Sequence, residues 1–358
     1  MRVLMLSGPN LNLLGRREPD VYGHQSLADV ESQVTKWATG MGIELDTAQS
    51  NHEGEIIDML QEARVDGVVI NPGALTHTSR AIADVIRGIE IPVVEVHISN
   101  IREREPWRAV SVLSEVCSTS IYGRGVTGYR DALRHLLNRR TMPFERVSYG
   151  PHGQQVGDLR RGGGDLVVLI HGGIWRHEFG RDTTESLAVD LCNRGFDTWN
   201  ITYRLLGLGG GWPASGHDVL MALDYIPQLD LESERVLIVG HSAGAYLAIW
   251  AAQRSSTDID LDVALAPLVD LPAAVDDNSP CAPESMTMLD QGAPARVSPG
   301  TITTVLVHGE KDTISPIGQS TQMAERNGLE LIRSDCGHFE LLDPTRPEWA
   351  SVVERIST

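Results

Sequence analysis

The sequence predicts an α/β protein built twice over: two mainly parallel sheets, each flanked by helices. Three observations carry this. Short β-branched runs alternate with helix-period segments along the whole chain. The length, 358 residues, exceeds the ~100–200 residues usual for one domain. The alternation is interrupted once, at "TMPFERVSYGPHGQQVGDLRRGGGD", which is rich in Pro, Gly and charge. That interruption puts a boundary near residues 140–145, giving domains 1–142 and 143–358.

In the first half the predicted strands are "RVLML", "IELDTA", "GVVI", "PVVEVH" and "STSIYG". The first long helix begins at Ser26: Leu27, Val30, Val34 and Trp37 recur at helical spacing, and Ser26 with Asp29 makes a capping box. "GYRDALRHLLNRR" supplies the last helix. In the second half "LVVLI", "FDTWNI", "RVLIVG", "DVALA", "TTVLV" and "LELIRS" read as strands. "ERVSYGPHGQQVGDLR" alternates around a Gly turn, which fits an antiparallel hairpin leading into the second sheet.

Composition excludes several function classes. A formal net charge of -18 opposes a phosphate-neutralising surface, so nucleic acid is not an expected partner. No run approaches the ~20 apolar residues of a membrane span, and "MRVLMLSG" is too short for a signal sequence, so a cytoplasmic protein is expected. Cys117, Cys192, Cys281 and Cys336 lack metal-site spacing and read as packed thiols, with Cys336 singled out by its closeness to His338.

Chemistry concentrates at predicted strand ends. "LSGPNLNLLGRREPDVYG" lacks the Lys-Ser/Thr of a phosphate loop and the Gly-x-Gly-x-x-Gly dinucleotide pattern. It does crowd Asn10, Asn12, Arg16, Arg17 and Tyr22 at the C-terminal edge of the first strand, where open α/β sheets bind ligands. A cation within ~4–6 Å can lower a tyrosine pKa by about 1–3 units, so an Arg-assisted Tyr22 can act as a base on a carbon next to a ketone. Asn71 and His77 in "NPGALTHTS", with His97 and Ser99 at "EVHIS" and Arg108 beyond, can converge on a small oxygenated anion.

"GPNLNLLGRREPDVYG", "QSNHEGEIID", "INPGALTHTS" and "EVHISNIREREPWR" together resemble type II 3-dehydroquinate dehydratase over residues 1 to about 140. The resemblance implies a flavodoxin-like fold, a dodecamer of trimers, and anti elimination of water through an enolate without metal or cofactor. It implies Tyr22 as base, Arg17 as its activator on a mobile lid, and His97 as acid. Asn10 would hold a water that stabilises the enolate, and Glu95 would orient a catalytic neighbour. Asn71, His77, Ile98, Ser99 and Arg108 would bind substrate, and Asp84 would reach the site of an adjacent subunit. A flavodoxin-like flavin binder is the competing reading of this half.

In the second half, "VLIVGHSAGAYLAIWAAQ" sets Gly240-His241-Ser242-Ala243-Gly244 between an apolar strand and a helix with small residues. In that setting the pentapeptide is a nucleophile elbow. "HGGIW" after an earlier strand suits an oxyanion loop, with Gly173, Ile174 and Ala243 as backbone donors. Asp312 and His338 follow later strands, in the order Ser, Asp, His of this fold; Glu310 is a nearby alternative acid. His171 and His241 read as structural, and Trp175 as lining or underlying the acyl pocket.

This half resembles the α/β-hydrolase superfamily, and within it "HGGIW", "ITYRLL", "GHSAGA" and "GHFELLDP" are similar to the kynurenine formamidase and small carboxylesterase group. "LVDLPAAVDDNSPCAPESM" is where a cap or specificity loop would sit. The expectation for the whole chain is an α/β protein with a flavodoxin-like domain followed by an α/β-hydrolase domain. It would be a bifunctional dehydratase and serine hydrolase acting on small molecules, with an ester of quinate or shikimate as the candidate substrate of the hydrolase. Hydrolysis of N-formylkynurenine, or a noncatalytic assembly role for the second half, are the alternatives.

Overall fold

The computed structural model describes residues 1–17 and 23–358. The chain divides into two compact units, Met1–Thr141 and Met142–Thr358.

In the first unit β1 (Arg2–Ser7), β2 (Glu44–Gln49), β3 (Gly67–Asn71), β4 (Val93–His97) and β5 (Thr119–Tyr122) form a parallel sheet in the order β2-β1-β3-β4-β5. Its helices are α1 (Leu27–Gly40), α2 (Glu53–Glu62), α3 (Arg80–Gly88) and α4 (Thr127–Thr141). The α1 start is the expected capping box: Ser26 Oγ accepts from Asp29 N–H while the Asp29 carboxylate accepts from Ser26 N–H. Strand alternation splits the core in two. Val3, Met5, Val69, Val94 and Val96 pack against α1 and α4; Leu6, Val68, Ile70 and Val93 pack against α2 and α3.

In the second unit β6 (Glu145–Ser148), β7 (Val156–Arg160), β8 (Leu166–Ile170), β9 (Asp197–Ile201), β10 (Val236–His241), β11 (Leu261–Leu265), β12 (Thr304–Gly309) and β13 (Glu330–Ser334) form one sheet. Its order is β13-β12-β11-β10-β8-β9-β7-β6. The β6–β7 hairpin is antiparallel and β7 joins β9 antiparallel; the other pairings are parallel. The helices are α5 (Glu185–Asn193), α6 (Ala214–Tyr225), α7 (Ala243–Ala252), α8 (Leu271–Asp276), α9 (Ala282–Asp290), α10 (Gly318–Asn327) and α11 (Pro347–Ser357).

One sheet face carries α6 and the wholly buried α7, the other α5 and α11. The small pair α8 and α9 fills the connection between β11 and β12, where a cap was expected. Near the hairpin, buried Arg160 pairs with Glu185 at 2.7 Å and lies over the Phe144 ring. Such a pair is costly to break because the survivor is left charged and dry. All four cysteines are free and buried. Among the described residues no helix is long and apolar enough to cross a membrane.

Candidate active sites

In the first unit the site is built on backbone loops at the C-terminal strand edge. The turns after β1 and β3 interlock: Gly8 N–H donates to Asn71 O at 2.7 Å, and a Cβ on Gly8 would lie 2.6 Å from Pro72 O. Gly73, at φ 57°, leaves no room either, since its Cβ would lie 2.9 Å from Pro9 O. Asn10 follows in the left-handed region at φ 66°, its N–H held by Asn51 Oδ1 at 2.9 Å. Asn71 is buried, with Nδ2 donating to the phenolic oxygen of buried Tyr129 at 3.0 Å and Oδ1 accepting from Gly73 N–H at 3.2 Å.

A buried carboxylate–imidazole pair lies at the end of β4. His97 Nε2 is 2.8 Å from Glu95 Oε1, and Glu95 is fully buried. Burial alone would raise the Glu95 carboxyl. The hydrogen bond and charge of His97, with hydroxyls from Thr76 and Ser120, reverse that and hold it down at about 2. His77 Nδ1 is 2.8 Å from Val110 O, which fixes Nδ1 as donor and leaves Nε2 as acceptor in the neutral ring. Burial, helped by His97 and Arg108, lowers its pKa despite the hydrogen bond to Val110. Trp107 meets His77 edge-on at 5.2 Å, and Arg108 lies over Trp107 at 4.1 Å while donating to Glu105.

Ile98 and Ser99 line a cavity of about 590 Å³ with Gly23, Gln25, Arg104 and Val126. Their carbonyls are occupied by the Gly125 and Gly123 amides. Asn10, Asn71, His77, Glu95, His97, Ile98, Ser99 and Arg108 therefore share one end of the sheet. Asp84 does not join them within the chain: it lies on α3, 85% exposed at its side chain, beside Arg87. Arg17 is half-buried, and Tyr22 lies outside the described residues.

In the second unit Ser242 links β10 to α7 at φ 54° and ψ −120°, a strained conformation for a residue with a Cβ. The flanking glycines are sterically required. A Cβ on Gly240 would sit 2.6 Å from Ala245 Cα, and one on Gly244 would sit 2.3 Å from Ile170 O. Ser242 Oγ is buried and makes no hydrogen bond among the described residues. His338 Nδ1 lies 2.7 Å from Asp312 Oδ2, and Asp312 Oδ1 accepts from the Ile314 and Ser315 amides at 2.8 and 2.9 Å. Burial opposes ionisation of Asp312, but the contacts to His308 and His338 and the Ser315 amide outweigh it and lower its pKa. Glu310 is exposed, so the carboxylate meeting His338 is that of Asp312.

The loop after β8 approaches the nucleophile closely: a Cβ on Gly172 would be 2.9 Å from Ser242 Cβ. Gly173, Ile174 and Trp175 then all take positive φ, at 95°, 56° and 58°. Ala243 opens α7, where a first-turn N–H has no partner within the helix. Trp175 is fully buried and packs edge-on against Tyr246 at 5.7 Å, so it underlies the site. His171 stacks on Tyr203, with its ring nitrogens 2.8 Å from Gly172 O and 3.0 Å from Thr202 Oγ1. His241 Nε2 is 3.1 Å from His338 O; burial above all, with His338 nearby, takes its pKa down to about 3 and keeps the ring neutral. Cys336 is buried and its thiol pushed up by that burial, which suits packing. Phe339, 55% exposed, stands edge-on to His338 at 5.0 Å.

Several contributors escape sequence reasoning. Thr76, Ser111 and Ser120 surround Glu95, Tyr129 holds Asn71, and His308 Nε2 lies 3.2 Å from Asp312 Oδ2. Only His308 leaves a trace, four residues before Asp312 at a strand end.

A five-stranded 2-1-3-4-5 sheet with a Glu–His pair at its edge, joined to an eight-stranded sheet with a serine elbow, defines a dehydratase-like unit fused to a serine hydrolase-like one. Residues 1–137 match the family described as dehydroquinase class II, residues 160–281 that described as BD-FAE, and residues 223–356 that described as serine hydrolase. The catabolic 3-dehydroquinase of Aspergillus oryzae is 53% identical over 136 residues, 37% of this chain and 89% of that protein. The 3-dehydroquinate dehydratase of Anoxybacillus flavithermus is 51% identical over 140 residues, 38% of this chain and 95% of that protein. Esterase B from Lactobacillus rhamnosis shares the hydrolase fold, with a TM-score of 0.52 and 17% identity over 64% of this chain and 89% of that one. Through its first unit the chain belongs to the class II dehydroquinase family.

Proposed function

We propose that residues 1–142 dehydrate 3-dehydroquinate to 3-dehydroshikimate and that residues 143–358 hydrolyse an ester through Ser242. The observation that carries the first assignment is the buried Glu95 carboxylate hydrogen-bonded to His97, next to the Ile98 and Ser99 that line a sheet-edge cavity. In this reading Tyr22, its phenolate favoured by Arg17, takes the proton from the carbon next to the ketone. Asn10 positions a water on the resulting enolate. His97 then delivers its proton to the departing hydroxyl, which leaves as water. Asn71, His77, Ile98, Ser99 and Arg108 hold the carboxylate and hydroxyls. Asp84, exposed on α3, serves the site of a neighbouring copy in a trimer-based assembly, up to a dodecamer.

In the second unit His338 takes the Ser242 proton as Oγ attacks the ester carbonyl, and Asp312 holds the imidazole in the required tautomer. Amides of Gly173, Ile174 and Ala243 receive the oxyanion. The acyl-enzyme then yields to water activated by the same histidine. Linkage to a dehydratase of a cyclic hydroxy-acid supports an ester of a quinate- or shikimate-type acid as substrate. The name of the Aspergillus relative supports a catabolic setting.

The test is a panel of quinate ester, shikimate ester, N-formylkynurenine and aryl acetate, with 3-dehydroquinate assayed in parallel. Ser242→Ala should abolish hydrolysis and fluorophosphonate labelling while dehydration persists; Tyr22→Phe should do the reverse. Hydrolysis that survives Ser242→Ala refutes the nucleophile, and full dehydratase activity in Tyr22→Phe refutes the base. Preference for N-formylkynurenine over the quinate ester refutes the shared-pathway reading.

A further inference from the structure

We propose that His308 is a positioning residue of the hydrolase, a buried imidazole that locks the turn carrying Asp312 and so keeps the Asp312 carboxylate aimed at His338. The inference rests on the reading of Ser242, Asp312 and His338 as one catalytic group. His308 lies on β12, four residues before Asp312, with no solvent exposure. Its Nε2 is 2.7 Å from Ser315 O and 3.2 Å from Asp312 Oδ2, and its Nδ1 is 2.7 Å from Ser320 Oγ on α10. Both ring nitrogens thus serve the segment 312–320.

The direction of these bonds follows from the acceptor. A carbonyl oxygen only accepts, so Nε2 carries a hydrogen and donates it to Ser315 O. The positive end of the same N–H lies close to Asp312 Oδ2, where it favours a carboxylate oxygen. Asp312 closes the turn from the other side, since its Oδ1 accepts from the Ile314 and Ser315 amides at 2.8 and 2.9 Å. Ser315 is therefore held at both ends of its backbone, by Asp312 at the amide and by His308 at the carbonyl, and its hydroxyl donates to Pro267 O at 3.2 Å. With Oδ1 engaged by the turn, Oδ2 is the oxygen left for His338 Nδ1, at 2.7 Å. The carboxylate keeps this division of labour only while the turn stays in place.

An apolar side chain at position 308 would fill the space but leave Ser315 O buried without this donor. That carbonyl regains a partner only by moving, and the Ser315 amide moves with it. The Asp312 carboxylate is then free to turn out of line with the His338 ring. A triad tolerates little of this, because its carboxylate acts by fixing the tautomer and orientation of the imidazole and by stabilising the imidazolium that forms as the serine attacks. His241 does not take over, since its Nε2 donates to His338 O and so holds the histidine loop, not the acid. The influence of His308 on Ser242 therefore runs through Asp312.

The experiment measures aryl acetate hydrolysis and the rate of fluorophosphonate labelling by the full chain. The proteins are wild type, His308→Leu, His308→Gln, Ser320→Ala, Asp312→Asn, the double variant Asp312→Asn with His308→Leu, and Ser242→Ala. His308→Leu should lower kcat about tenfold, the effect of roughly one hydrogen bond, with KM changed by less than about twofold. His308→Gln, whose amide offers a donor to Ser315 O and an acceptor to Ser320, should recover most of that loss. In the Asp312→Asn background, the same His308→Leu change should slow labelling by less than about twofold, because the group it positions is already disabled. An equal cost in both backgrounds means packing alone and overturns the proposal, as does an unchanged kcat in His308→Leu. Should His308→Leu fail to fold, Ser320→Ala carries the test. It removes the ring's anchor on α10 and should lower kcat by roughly two- to fivefold; an unchanged kcat there overturns the proposal. Hydrolysis that survives Ser242→Ala, or a wild type that neither hydrolyses nor labels, refutes the serine hydrolase reading itself, so the two failures are told apart.

Discussion

Replacing Asp262 with Asn should make the second unit's stability less sensitive to pH. Asp262 lies mid-sheet on β11, 1% exposed, in register with Ile238 of β10 and Thr304 of β12. Its Oδ1 has no hydrogen-bond partner among the described residues. Burial pushes the carboxyl from its ordinary 3.8 up to about 7. The folded chain thus holds a proton that the unfolded chain has released between those values. Unfolding there releases a proton, so stability falls as pH rises from ~4 to ~7 and then levels off. Three units at 1.36 kcal/mol each give a loss of roughly 4 kcal/mol, a sizeable part of the ~5–15 kcal/mol of a typical domain. In Asp262→Asn this loss is absent. Relative to wild type, the variant should gain about 4 kcal/mol between pH 4 and pH 8, on top of any pH-independent offset from the amide. The assay is urea unfolding at both pH values, followed by the fluorescence of Trp175, Trp199, Trp212, Trp250 and Trp349 and resolved from the transition of the first unit. Groups such as His241 titrate in both proteins and cancel in the difference. A variant-minus-wild-type difference that is the same at both pH values would refute the reasoning.

Three other outcomes follow from the geometry. Gly244→Ala forces a Cβ to within 2.3 Å of Ile170 O and 2.4 Å of His171 O, so it should destabilise the second unit by ~1–3 kcal/mol and abolish probe labelling; thermal unfolding with a labelling gel checks this. Asp312→Asn should cut hydrolytic kcat by on the order of 10⁴ by leaving His338 in the wrong tautomer, with dehydration unchanged, as steady-state assays of both reactions will show. Tyr129→Phe keeps the buried ring but frees the Asn71 amide, so dehydratase kcat/KM should fall about tenfold, the loss of roughly one hydrogen bond, while α4 stays packed.

The two sheets are legible in the sequence because strand periodicity and helix spacing are local properties, and both units obey them. Ser242 is legible for a related reason: the glycines that the elbow demands sit within two residues of it, and the Cβ clashes at Gly240 and Gly244 show why. The hairpin β6–β7 also announces itself through its alternation. Contributors that act through a tertiary contact are not legible. Ser120 reads as an ordinary strand residue, and only the register of β4 with β5, which pairs Glu95 with Ser120, gives it a role. Ser111 lies in a loop whose path depends on Thr76, and Tyr129 reads simply as an apolar position of α4. Asp262 is a further such case. Nothing local marks it as buried, because the neighbouring strands that enclose it come from distant parts of the chain.

The three consecutive positive φ angles at Gly173, Ile174 and Trp175 carry an evolutionary consequence. A β-branched isoleucine and a tryptophan in that region each carry a conformational penalty of order 1–3 kcal/mol that glycine would largely avoid. At Trp175 the burial of the whole side chain outweighs that penalty, so the drift towards glycine that stability alone would favour is confined to the half-buried Ile174. With Ile174 proposed as an oxyanion donor, a screen for heat-tolerant variants should return Ile174→Gly and not Trp175→Gly, and the proteins it returns should survive longer and hydrolyse less.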